Sequence, residues 1–219
     1  MTLLTPTRDR ALLYAVLSRL VSYPVTPDLL RLVGELDVPG PDGRAAAGEL
    51  RRLGDAVATL GGPDAAVEVL NREATRLLEG PGQPLAPPYG SFYLSGGTLM
   101  GPEAAAVRRA YLDAGFLPDP SVQLPPDHLS LELGFLGVLA GRAGDEPEAE
   151  KASARRAWWE FIATHLAPWL ALWQADLRRA GAHSFYLGVA GFISEILEAD
   201  LAWLDEHGAA IADDAAERG

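Results

Sequence analysis

Proline and glycine divide this sequence at intervals of roughly one helix length, and that punctuation constrains the fold more than any other feature. Thr7 can cap a segment running to about Ser22, whose Leu12, Leu13, Val16, Leu17 and Leu20 share one face, and Pro24 forbids its continuation. Thr26-Pro27 is an N-cap followed by proline at the first helical position, opening a helix to about Leu36. Arg44–Leu60 ends at Gly61-Gly62, and Pro63 starts a segment that Gly80 terminates. Later, Pro102 opens a helix that Gly115 closes, and Pro125-Pro126-Asp127 opens another reaching about Ala143. After a charged connector at Gly144–Lys151, Pro147 begins a helix through Trp158, Ile162 and Leu166, Pro168 restarts the chain toward Gly181, and His183–Glu206 forms a last long helix before Gly208. No run alternates apolar and polar residues long enough for a strand, a short extended piece at Ser91–Leu94 excepted. The expected fold is therefore all-α, one globular domain over residues 1–219 with nine or ten helices.

One stretch breaks the rhythm. Gly80–Gly101 holds six glycines and four prolines, a density no helix interior tolerates, so a connection of about 20 residues without regular helix is expected. Its aromatics Tyr89, Phe92 and Tyr93 favour an ordered, packed loop with a function.

Composition excludes several functions. The absence of cysteine removes disulfides, thiolate metal sites and thiol nucleophiles. Lys151 is the only lysine, so neither a phosphate-cradling G-x-x-x-x-G-K loop nor a Schiff-base lysine in an apolar pocket is available. The net charge of −12 opposes nucleic-acid binding and favours a basic partner. No apolar run reaches the roughly 18 residues of a membrane span, and Arg8, Asp9 and Arg10 followed by an amphipathic helix do not form an export signal. The expectation is a cytoplasmic protein without membrane insertion. Much of the negative charge lies in residues 193–219, read as a solvated helix face and a frayed acidic tail, or else as the contact surface of a helical adaptor over Asp205–Glu217.

The densest constellation is Leu124-Pro125-Pro126-Asp127-His128-Leu129-Ser130-Leu131-Glu132. With a helix beginning near Pro126, Asp127 lies in its first turn, where the helix dipole favours a carboxylate, and His128 and Glu132 share a face at i, i+4. Two carboxylates and an imidazole there can bind a guanidinium, polarise a water, hold a metal, or simply cap the helix. A third metal ligand within reach and a nucleophile are both missing, so no metal, cofactor or catalysis is expected. The aromatic series Trp158, Trp159, Phe161, Trp169 and Trp173 has helical spacing and reads as core.

Three blocks together, with a fourth and weaker one, resemble a known family. They are Gly80-Pro81 with Ala86-Pro87-Pro88-Tyr89-Gly90-Ser91-Phe92-Tyr93-Leu94; Leu99-Met100-Gly101 leading to Val107-Arg108-Arg109-Ala110-Tyr111 and Gly115; Pro125-Pro126-Asp127-His128 with Leu131-Glu132-Leu133 and Phe135; and His165-Leu166-Ala167-Pro168-Trp169. In their residues and order they are similar to the redox-enzyme maturation chaperones of the TorD/DmsD type. The resemblance implies an all-helical, non-enzymatic cytoplasmic chaperone. Such a chaperone binds the N-terminal leader, commonly a twin-arginine leader, of a molybdopterin oxidoreductase catalytic subunit and assists cofactor insertion. It further implies that Pro126, Asp127 and His128 form the leader-binding motif, with Glu132 as its following acid, Tyr89 as the aromatic after the double proline, and Leu77 and Leu78 as apolar residues before Gly-Pro. It implies a monomer or a helix-exchanged dimer, for which 144–151 is the candidate hinge. The alternative reading is an enzyme using Asp127, His128 and Glu132, with or without a metal.

Overall fold

Helices begin where the prolines put them. In the computed structural model, which describes residues 6–36, 47–119 and 121–216, three α-helices have proline in their first turn behind a non-helical residue: α2 (Pro27–Glu35), α4 (Pro63–Ala74) and α6 (Pro102–Asp113), whereas Pro168 of α9 (Ala167–Arg179) follows a π turn without a break. Proline suits that position because its missing N–H would have no partner there. Thr26 caps α2 as its sequence predicts, its hydroxyl accepting the Leu29 N–H at 3.2 Å. The remaining helices are α1 (Pro6–Leu20), α3 (Ala47–Thr59), α5 (Gly90–Leu94), α7 (Leu129–Asp145), α8 (Glu148–Phe161) and α10 (Ser184–Ala216). A π turn, Thr75–Glu79, extends α4, and a second, Ile162–Leu166, joins α8 to α9. Among the described residues these make nine continuous helical rods, and the chain forms a single all-α domain around one core.

α1 lies along α7, α7 packs on α8, and α10 covers α3 and α8. The α1–α7 contact needs a missing side chain: a Cβ at Gly137 would lie 3.2 Å from Ala11 O and 3.3 Å from Tyr14 Cβ. A buried polar cluster then ties α10 to α1. Arg10 Nε lies 2.7 Å from Asp200 Oδ1, and Tyr14 donates its hydroxyl to Asp200 Oδ2 at 2.6 Å. Burial pushes the Asp200 carboxyl up to about 6 although both partners oppose the rise.

Several boundaries differ from the expectation. α1 starts at Pro6, so Thr7 lies inside the helix rather than capping it. Residues 44–46, the expected start of α3, lie outside the described residues. The connector expected at 144–151 contracts to Glu146 and Pro147, because α7 continues to Asp145 and α8 begins at Glu148. α10 passes through Gly208 to Ala216, since the alanines at 209, 210 and 212 are the best helix formers and offset the roughly 1 kcal/mol that one interior glycine costs. Trp158, Phe161, Trp169 and Trp173 are core residues, whereas Trp159 faces outward and is 40% exposed.

Candidate functional site

The glycine- and proline-rich segment is ordered by backbone pairing at both ends. Ala86 N–H donates to Leu77 O in the π turn at 2.8 Å, and Trp173 Nε1 donates to Ala86 O at 3.1 Å. Beyond the double proline, Gly90 N–H donates to Asp127 O at 3.0 Å and Leu129 N–H to Pro88 O at 2.9 Å, which makes Tyr89 and His128 an isolated antiparallel bridge. Extended structure therefore falls at Tyr89, and Ser91–Leu94, expected to be extended, is instead the short helix α5. The cause is Asp127. Its Oδ2 accepts the Ser91 N–H at 2.6 Å, satisfying a donor of the first turn of α5.

The same pairing corrects the expected place of Asp127 in α7. With its carbonyl given to Gly90 and its carboxylate to Ser91, Asp127 stands one residue before the N-cap, and His128 takes the capping position. His128 Nδ1 accepts the Ser130 N–H at 3.1 Å and lies 2.7 Å from Ser130 Oγ. Nε2 therefore carries the ring proton and has no hydrogen-bond partner among the described residues. Burial lowers this imidazole to about 4, so it is neutral at pH 7. The Tyr89 ring meets it edge-on, with centroids 4.9 Å apart.

Asp127, His128 and Glu132 are all fully buried. Asp127 and Glu132 line a cleft of about 260 Å³ with Gly90 and Val107 inside and Leu94, Pro102, Ala106 and Thr164 toward solvent. His128 does not line it, so the face expected at i, i+4 is not shared. Among the described residues, Asp127 Oδ1 has no hydrogen-bond donor and the Glu132 carboxyl has only the Trp169 indole beside it. Burial pushes the Glu132 carboxyl well above the ordinary carboxylate range, the Asp127 charge pushes it the same way, and the Trp169 indole opposes them. The position of that indole depends on Gly90, where a Cβ would lie 3.0 Å from Trp169 Nε1. Pro126, half-buried, fixes the approach to the cleft because its carbonyl accepts the Tyr111 hydroxyl at 2.8 Å. Leu77 and Leu78 are core residues of the π turn and line neither this cleft nor its neighbour.

The neighbouring cleft, about 640 Å³, lies between α6, α7 and α8 and shares Thr164 and His165 with the first. Phe135, Leu139 and Phe161 supply apolar surface, and Asp113, Glu146, Glu150 and Glu160 supply negative charge. Arg142 is the one lysine or arginine among its described lining residues, and its guanidinium is held by Ala114 O at 2.5 Å. Chemically, the two clefts combine buried carboxylates with an apolar, acid-edged groove. Thr164 carries no signal of its own in the sequence; the one available for this wall is the adjoining block His165-Leu166-Ala167-Pro168-Trp169.

Residues 42–175 match the family described as nitrate reductase delta subunit. Among curated proteins, the chain is 32% identical over 120 residues to Chaperone protein TorD of Vibrio cholerae serotype O1, covering 54% of each chain. It is 30% identical over 121 residues to Chaperone protein TorD of Vibrio parahaemolyticus serotype O3:K6, covering 53% of this chain and 55% of the relative. The protein of the same name from Aliivibrio salmonicida is 29% identical over 121 residues. The chain thus spans about half the length of the curated relatives it matches.

Proposed function

This chain belongs to the nitrate reductase delta subunit family, and from that membership we propose that it is a cytoplasmic, non-catalytic chaperone for a molybdopterin-containing oxidoreductase subunit. It binds the N-terminal leader of that subunit, of the twin-arginine kind, and holds the subunit while its cofactor is inserted. The observation that carries the reading is the cleft of Asp127 and Glu132: buried carboxylates beside apolar residues, with a wider acid-edged groove next to it that shares Thr164 and His165. A leader presenting guanidiniums and then an apolar segment meets both requirements. The names of the TorD relatives agree with a chaperone role. The net charge of −12 adds attraction toward a basic segment and makes capture salt-dependent.

Calorimetric titration with a synthetic twin-arginine leader, beside a twin-lysine control and at two salt concentrations, tests this function. Saturable binding that weakens with the lysine pair and with salt is expected. Heats equal to dilution for both peptides overturn the reading.

A further inference from the structure

We propose that the cavity between Asp127 and Glu132 receives a single guanidinium of the bound segment, and that Glu132 releases one proton as the cation enters. The inference rests on the leader-binding reading and adds to it a stoichiometry, a preference and a pH dependence. Three acceptor oxygens, Asp127 Oδ1 and Glu132 Oε1 and Oε2, are buried there, and among the described residues the Trp169 indole beside Glu132 is the one donor set against them. No lysine or arginine is among the described residues lining the cavity. A planar fork of N–H donors satisfies several oxygens at once, and a guanidinium is less strongly hydrated than an ammonium, so arginine is favoured over lysine in a site this buried. The apolar residues Leu94, Pro102 and Ala106 at the mouth suit the methylene stem.

Two carboxylates this close and this buried do not both hold a charge without a cation. The Glu132 carboxyl is held well above its ordinary range by burial and by Asp127. The other groups facing the cavity do not reverse this. Glu103 of α6 is bonded to Ser95 Oγ at 2.6 Å, burial lowers His165 of the second π turn, and Tyr111 of α6 is pushed up and stays neutral. His128 is neutral at pH 7, α9 contributes the uncharged Trp169, and α1, packed on α7, presents Ser18 to Ser130 O. An entering cation reverses the balance at Glu132, and its carboxyl proton passes to solvent as the guanidinium takes its place.

The first arm follows the Glu132 carboxyl carbon by NMR in the unmodified protein, with and without N-acetyl-argininamide. The side chain is expected to be protonated at neutral pH when free and to ionise on addition of the arginine derivative, with a smaller response to N-acetyl-lysinamide. The second arm repeats the leader titration in buffers of different ionisation enthalpy. About one proton released per leader is expected, with affinity rising about tenfold per pH unit while the free protein retains the proton, and Glu132→Gln abolishes both the release and the slope. A Glu132 carboxyl already ionised in the free protein, an equal response to the lysine derivative, or proton release that persists in Glu132→Gln overturns the proposal. Leader binding with buffer-independent heats overturns it while leaving the leader reading intact. A Glu132 response to N-acetyl-argininamide without leader binding does the reverse.

Discussion

Replacing His128 by asparagine isolates the cost of keeping an imidazole neutral inside this fold. Asparagine is itself a good N-cap, so the Ser130 N–H keeps an acceptor and α7 keeps its start. The titrating group disappears. In an unfolded chain the imidazole takes a proton near pH 6.5, whereas burial lowers it to about 4 in the folded protein. Above pH 6.5 both states are neutral there and the full contribution is present. As pH falls from 6.5 to about 4, the unfolded chain binds a proton that the folded protein does not, and stability is lost. At about 1.4 kcal/mol for each power of ten, the loss from this one side chain amounts to about 3 kcal/mol, a large part of the 5–15 kcal/mol typical of a domain. Urea unfolding followed by tryptophan fluorescence at intervals between pH 4 and 7.5 measures it. His128→Asn has a lower absolute stability from the lost contact with Tyr89, but its stability falls less with acid than that of the parent. Parallel curves for the two proteins would refute a buried, neutral His128.

Asp200 acts with the opposite sign: held at about 6 against 3.8 in an unfolded chain, it contributes stability that is complete below pH 3.8 and lost as pH rises through 6, about 3 kcal/mol in all. Asp200→Asn therefore steepens the acid loss caused by His128, and the same urea series reads the difference. Gly90→Ala forces a methyl group against Trp169 Nε1 and Cδ1, which should cost about 1–3 kcal/mol of stability; an unchanged urea midpoint would mean that the indole yields freely. Asp127→Asn keeps an acceptor for the Ser91 N–H and removes the charge, so leader affinity should fall by about tenfold or more while helix content by circular dichroism stays constant. Equal affinity would move the binding site elsewhere.

Helix order and most starts were legible because proline and capping chemistry act locally: Thr26-Pro27, Pro63 and Pro102 each do in the structure what they do in an isolated peptide. The site was legible only in part. Asp127 and Glu132 stood out as acids near a helix start, yet the expected first-turn position of Asp127 failed because its hydrogen-bond acceptors are used by Gly90 and Ser91, 37 and 36 residues earlier in the chain. α5 was missed for the same reason: five residues that include one glycine, one serine and two aromatics have little helix propensity, and the carboxylate that supports their first turn comes from a distant segment. The burial of His128, with the suppressed basicity it brings, likewise depends on Tyr89 arriving from the loop. Trp159 was misassigned because a run of aromatics at helical spacing does not say where the covered face ends.

The long-range pairing at Tyr89 and His128 also sets a timetable. The walls of the small cleft come from three separate stretches, residues 90–107, 127–132 and 164–165, with Trp169 behind Gly90. A chain leaving the ribosome presents them one after another. The carboxylates at 127 and 132 emerge into water as ordinary solvated acids, and they acquire their enclosure only when the loop has docked and the second π turn has been synthesised. A nascent chain that ends between residues 132 and 169 carries Glu103, Asp127 and Glu132 without their full enclosure, so the cleft is a property of the completed fold rather than of any segment within it.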